Sequence, residues 1–133
     1  MTLSYFLYRS YGRLDHFAED CDIILPLARA RNRELDLSGF LHCEDGVFVQ
    51  WLEGPKPALE QVVESILADH RHRDVTVFGN GPLEERQFPN WAMGYSVGRQ
   101  APLFEYLTEQ EAHSRDARGF GHALHQFLLL RAA

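Results

Sequence analysis

Three side chains in this sequence carry hydrogen-bonding chemistry at places where the surrounding pattern calls for apolar residues: Tyr8, Asn32 and Gln50. Strand alternation over Val47 to Glu53 puts Phe48, Gln50 and Leu52 on one face, so an amide lies between two large apolar neighbours and is expected to be at least partly buried. A buried amide without partners costs about 1–3 kcal/mol, so donors and acceptors must meet it. Leu3 to Arg9 alternates in the same way and offers the Tyr8 phenol on the face of Phe6. Phe17, Cys21, Ile24, Ala28 and Asn32 recur at three- and four-residue steps, one face of a helix that ends in the Asn32 amide. A phenol and two amides brought together in this way either satisfy one another and fix strand register, or bind a ligand with donors and acceptors of its own.

The elements that must position them follow from periodicity. Leu3–Arg9 predicts a first strand with β-favouring aromatics on both faces, which suits a strand covered on both sides. The first helix contains Pro26 and is either kinked there or begins near Asp22, which could cap it. Leu37–Cys43 and Val47–Glu53 read as antiparallel strands joined by a turn at Glu44-Asp45-Gly46. Gly54-Pro55-Lys56-Pro57 starts a second helix, whose apolar positions Leu59, Val62, Val63, Ile66 and Leu67 keep helical spacing up to Asp69. Val75–Phe78 and Ala92–Val97 complete a βαββαββ order, with Gly79-Asn80-Gly81-Pro82 read as a turn between them. The expected fold is α+β and ferredoxin-like, a five-stranded mixed sheet with two helices on one face. Residues 103–111 and 115–131 read as helices that cap the other face, the second with Phe120, Leu124, Phe127 and Leu128 on one side.

With the elements in place, the sequence resembles a known family, the BLUF domains, flavin-binding sensors of blue light. The resemblance rests on Tyr8-Arg9-Ser10, Arg31-Asn32, Leu37-Ser38-Gly39, the run from Gly46 to Pro55, Asp69-His70-Arg71-His72, Arg86-Gln87-Phe88 and Trp91-Ala92-Met93-Gly94, in order over residues 1–98. It implies FAD held between the two helices, with FMN or riboflavin as alternatives. It implies Tyr8 as photochemical electron donor, Gln50 as the amide bridging Tyr8 to flavin N5 and C4=O, and Asn32 as a ligand of the pyrimidine edge. Ile24, Ala28, Phe48 and Ile66 would line the cofactor, as would Arg31, Asp69, Arg71, His72 and Met93. Trp91 and Met93 would relay the signal toward the sheet edge. The sequence departs from the family's pattern at Ala28, where Ser is common, at Arg31, where Asn or His is common, and at Ser65, where many members have Arg before the Ile of the second helix. Arg31, Arg71 and His72 are candidate replacements for the missing charge. Cys43, where an aromatic is common, reads as core packing.

The 133 residues suffice for one domain with a sizeable core. The expected division is a flavin-binding unit over 1–98 and a helical extension over 99–133 packed on it. No apolar run approaches the ~20 residues that span a bilayer. The net charge of -6 disfavours coating nucleic acid. Two cysteines outside any CxxC pair and no visible signal peptide point to reduced thiols in a cytoplasm. His70 with His72, and His122 with His125, could each give two metal ligands but lack a third, and no metal is expected. Glu53 lies on the face opposite Gln50 and reads as a turn-stabilising carboxylate, not an acid catalyst. The expected function is a non-enzymatic photoreceptor that signals to a separate protein, as a homo-oligomer. A flavin-dependent redox enzyme and a chromophore-free ferredoxin-like interaction protein are the alternatives.

Overall fold

The structure, a computed structural model, describes residues 2–97, 103, 106 and 117–132. Strand β1 (Leu3–Tyr11) leads through a short 3-10 turn (Leu14–His16) into helix α1 (Phe17–Leu35). The hairpin β2 (Ser38–Glu44) and β3 (Val47–Pro55) follows, then α2 (Lys56–Ala68), β4 (Arg73–Leu83), β5 (Gly94–Val97) and α3 (Ala117–Ala132). The five strands form one sheet in the order β4-β1-β3-β2-β5. All neighbours are antiparallel except β2 and β5, which run parallel from Phe40 opposite Gly94 to Cys43 opposite Val97. The ferredoxin-like α+β arrangement read from periodicity is the observed one.

Local chemistry explains the connections. Asp45 and Gly46 both take positive φ, 47° and 81°, the geometry of a tight two-residue hairpin whose twist matches that of its strands. In β2, a Cβ at position 39 would lie 2.0 Å from the Trp51 carbonyl oxygen, so only glycine lets β2 approach β3 there.

Two cores lie on either side of the sheet. Phe6, Tyr8, Leu41, Phe48 and Leu52 face α1 and α2, meeting Cys21, Ala28, Leu59, Val62 and Ile66. Leu7, Phe40, Val49 and Trp51 face the other way, against Leu124, Phe127 and Leu128 of α3. Each fully buried Leu or Phe contributes about 1.5–3 kcal/mol relative to exposure, so β3 is the spine of both layers. The expected C-terminal cap is therefore present over Ala117–Ala132. The helix expected over 103–111 lies outside the described residues apart from Leu103 and Tyr106, and the Phe120 side chain does as well.

Three sequence expectations are corrected. Of the two alternatives for α1, the start near Asp22 is excluded: the helix begins at Phe17 and runs through Pro26. Asp22 and Pro26 are both on the exposed side, where water can satisfy the carbonyl that proline leaves without a donor. Gly79-Asn80-Gly81-Pro82 is not a turn but the second half of β4, paired with β1 out to Leu3 opposite Leu83. As the edge strand, β4 tolerates a proline, and Gly79 gives room to the Tyr5 ring, 3.1 Å from where a Cβ would stand. Finally, β5 begins only at Gly94, so Trp91 and Met93 precede the strand instead of alternating within it.

Candidate functional site

The hydrogen-bonding residues picked out by their pattern are buried under the helices. Tyr8 and Gln50 are directly opposite in the β1–β3 ladder, and the Tyr8 hydroxyl donates to Gln50 Oε1 at 2.5 Å. Among the described residues, Gln50 Nε2 reaches only the Met93 thioether, at 3.6 Å, a weak acceptor. Tyr8, Gln50 and Met93 thus form a file of polar atoms running across the sheet, exposed by 1%, 3% and 1%. Burial pushes the Tyr8 phenol well above its ordinary pKa, and the nearby Arg31 guanidinium opposes that only in part. The phenol keeps its proton in the resting protein, and that proton is already committed to the amide oxygen.

Gln50 also lines a cleft between α1 and α2. Ile24, Leu27, Ala28 and Arg31 of α1 form one wall, and Ser65 and Ile66 of α2 form the other, with Asp69, Arg71 and His72 closing one end. Of the residues expected to hold a cofactor, Ile24, Ala28, Arg31, Gln50, Ile66, Asp69, Arg71 and His72 are brought together here. Phe48 lies next to them, its ring 4.8 Å from the His72 imidazole, and Tyr8 stands behind Gln50. The donor set suits a flat heteroaromatic ring: aliphatic walls on both sides, an amide nitrogen that among the described residues meets only a sulfur, and a guanidinium whose charged form is disfavoured mainly by burial. Asp69 anchors Arg71 through both backbone N and Nη1, at 2.9 and 3.1 Å.

Asn32 is fully buried but does not line this cleft. Its Nδ2 donates to the Ala92 carbonyl at 2.6 Å, while its Oδ1 accepts from Arg31 at 3.3 Å. It therefore joins the cleft, through Arg31, to the segment before β5. Arg29 Nε donates to the Met93 carbonyl at 3.0 Å and Gly39 N to the Trp91 carbonyl at 3.0 Å. Three successive carbonyls are thus held by α1 and β2, which keeps residues 91–93 out of the ladder and turns the Met93 side chain onto Gln50. The Trp91 ring lies at the edge of Phe40, 6.2 Å away and 40% exposed, apart from the cleft.

Sequence reasoning did not find Leu27, Arg29 or Ser10. Ser10 Oγ lies 2.7 Å from His72 Nδ1 and sets that ring against Phe48. The signal was present in the alternation of β1, where Ser10 follows Phe6 and Tyr8 on the buried face. No described group of three or more His, Cys, Asp or Glu side chains is arranged to hold a metal ion, and no described helix is long and apolar enough to cross a membrane.

The imidazoles of His72, His42 and His125 are all held below their ordinary pKa, in each case mainly by burial. Between those depressed native values and the unfolded value of about 6.5, the unfolded chain binds more protons than the folded one. Stability is therefore fully present above about pH 6.5 and falls as the pH drops below it. Urea midpoints at pH 7.5, 6.5 and 5.5 should decrease in that order, and a midpoint that stays level or rises toward pH 5.5 would contradict this assignment.

The geometry has counterparts among known proteins. The family model described as BLUF, sensors of blue-light using FAD, matches residues 3–94. Photoactivated adenylate cyclase subunit beta of Euglena gracilis is 33% identical over 120 residues, 90% of this chain and 14% of that protein. The blue light- and temperature-regulated antirepressor BluF of Escherichia coli is 30% identical over 73 residues, 55% of this chain and 18% of the antirepressor. The chain thus spans about one-seventh of the length of the cyclase subunits it matches. The dark-state structure of BlrB, a BLUF protein, gives a TM-score of 0.81 at 29% identity, covering 97% of this chain and 96% of that one. The BlrP1 BLUF structure gives 0.73 at 29% identity, covering 96% and 90%.

Proposed function

The chain belongs to the BLUF family of blue-light sensors using FAD, and from that membership we propose that it binds FAD in the cleft between α1 and α2 and switches through the Tyr8–Gln50–Met93 file. The observation that carries this reading is the Tyr8 proton donated to Gln50 Oε1 at 2.5 Å, beside an amide nitrogen that meets a thioether, a weak acceptor. When bound, an excited oxidised flavin supplies a strong one-electron oxidant. Tyr8 would be its electron donor: the phenol, a weaker acid at rest because of burial, would become strongly acidic on losing an electron. Its proton then has one short path, to Gln50 Oε1. Gln50 would accept there and donate from Nε2, and once the electron and the proton have returned to Tyr8 a rearranged amide would present a different donor and acceptor pattern on its cleft side, with no net redox change and no covalent bond formed.

Ile24, Ala28 and Ile66 supply the apolar walls, and Arg31, Asp69, Arg71 and His72 the polar end of the site. Asn32 acts on the ring edge through its junction with Arg31 and the carbonyl before Met93. FMN or riboflavin would make the same ring contacts, and FAD is the form that the family's description names. The role is sensory and not enzymatic. Residues 1–98 would form the sensor and 99–133 its output element, acting on a separate cytoplasmic protein or a second copy of the chain. Met93, and Trp91 beside it, lead into β5 and carry the change outward.

Absorption spectra of the purified protein in darkness and after blue light test the proposal. The expected result is a yellow protein whose flavin band moves slightly to longer wavelength and recovers in the dark. A protein that is colourless and cannot be reconstituted with any flavin would overturn it.

A further inference from the structure

On the face of the sheet away from the cleft, three polar side chains are buried where β2 meets β5. Ser96 of β5 is 2% exposed, His42 of β2 0% and Glu44 of β2 7%. Ser96 Oγ lies 2.6 Å from His42 Nδ1, and His42 Nε2 lies 3.0 Å from Glu44 Oε1. The same carboxylate oxygen accepts the backbone N–H of Leu103 at 2.6 Å. Because Nε2 faces a carboxylate it carries the ring proton, so Nδ1 is the acceptor and the Ser96 hydroxyl the donor. Burial holds this imidazole neutral. The result is a directed chain from Ser96 to His42 to Glu44, closed from the far side by Leu103. The His42 ring also stands edge-on to Phe127 of α3, 4.8 Å away.

Aliphatic side chains would fill this place without the cost of burying a carboxylate, an imidazole and a hydroxyl. What the polar chain adds is sensitivity to position. A hydrogen bond weakens steeply with misalignment of donor and acceptor, whereas the apolar attraction is non-directional. The junction it spans is the shortest in the sheet, four residue pairs in parallel register. Its other strand, β5, begins at the residue after Met93, whose sulfur touches Gln50.

We propose that Ser96, His42 and Glu44 form the link by which a displacement of β5 reaches the C-terminal segment at Leu103 and α3, with His42 as the positioning residue for output. The inference rests on the photosensing reading above and goes beyond it by naming the route. A shift of β5 at Met93 carries Ser96 with it. His42 then loses its donor or turns with it, and Glu44 changes its hold on Leu103.

Hydrogen exchange of residues 117–132 in the full chain, in darkness and under blue light, tests the route, with the flavin spectrum recorded on the same samples. The parent protein should show a light-dependent difference in α3. Ser96→Ala should keep the spectral shift and reduce that difference at least threefold, and Ser96→Thr, which retains the hydroxyl, should restore it. A purely structural role would lower stability in both light and dark without removing the difference between them. Nitrogen chemical shifts of His42 in the parent protein give a reading that needs no variant: a neutral Nε2–H ring whose Nδ1 signal moves on illumination. The inference is overturned by an undiminished α3 difference in Ser96→Ala, or by a parent protein whose flavin band shifts while α3 and His42 Nδ1 do not respond. A parent protein with no spectral shift would instead remove the photosensing reading, and this inference with it.

Discussion

Gln50→Leu should retain flavin and lose at least nine-tenths of the light-induced absorbance shift. Leucine matches glutamine closely in volume, and position 50 is 3% exposed, so the change leaves little cavity and keeps the cleft wall apolar. What disappears is the acceptor for the Tyr8 proton at 2.5 Å and the donor toward Met93 at 3.6 Å. The Tyr8 hydroxyl is then buried without a partner, a penalty of about 1–3 kcal/mol that should appear as a lower urea midpoint. Tyr8→Phe removes the other end of the same bond, leaves no stranded hydroxyl, and should abolish the shift with a smaller loss of stability. The measurement is the dark-minus-lit difference spectrum of each variant at matched flavin occupancy. A parental shift in Gln50→Leu would place the switch outside the file, and a parental shift in Tyr8→Phe would remove the phenol from the photochemistry.

The largest stability effect is expected at Glu53, which is fully buried on the other side of β3. Its Oε1 accepts from Trp51 Nε1 at 2.8 Å and from the backbone N–H of Gln87 at 2.7 Å. Its Oε2 accepts from Ser38 Oγ at 2.7 Å and from the backbone N–H of Phe88 at 2.9 Å. Arg86, which donates to Ser38 Oγ at 2.8 Å and to the Asp36 carbonyl at 2.8 Å, clamps the same segment from outside. The carboxylate thus holds the loop that leads to Met93. Glu53→Ala strands four donors and opens a void, a loss of about 3–5 kcal/mol, a large share of the roughly 5–15 kcal/mol typical of a domain. Glu53→Gln should cost less, about 1–3 kcal/mol, because its single acceptor oxygen serves two donors and the Ser38 hydroxyl can rotate to accept from the new NH₂. Chemical denaturation with an unchanged slope measures both. A loss under 1 kcal/mol in Glu53→Ala would show that the loop is held by other contacts.

The sequence by itself determined the order of elements and the convergence of Tyr8, Asn32 and Gln50 under the helices, because both rest on local periodicity. Alternation in β1 and β3 put Tyr8 and Gln50 on the helix-covered face, and helical spacing put Ile24, Ala28 and Asn32 on the stripe that meets them, while Arg31 came from the family resemblance alone. The Asp45-Gly46 hairpin was legible for the same reason, since positive φ at both residues is a local demand. Glu53 was legible as a carboxylate on the face opposite Gln50, read as turn-stabilising, but not as the acceptor of four donors.

Only the tertiary structure decided what depends on partners distant in the chain. Glycine and proline in 79–82 are local turn signals, overridden because β1 offers an unpaired edge along its whole length. Pro26 ends a helix in isolation, yet packing of Cys21 and Ala28 on either side of it keeps α1 continuous. Strand propensity carries 92–97 as one run, but the carbonyls of Trp91, Ala92 and Met93 are taken by Gly39, Asn32 and Arg29, so the strand starts late and Met93 turns onto Gln50. The Ser96–His42–Glu44 chain has no local signature at all. It joins residues 54 positions apart, and that distance is closed only when β5 is laid parallel to β2, where each buried polar group must find its partner across the chain.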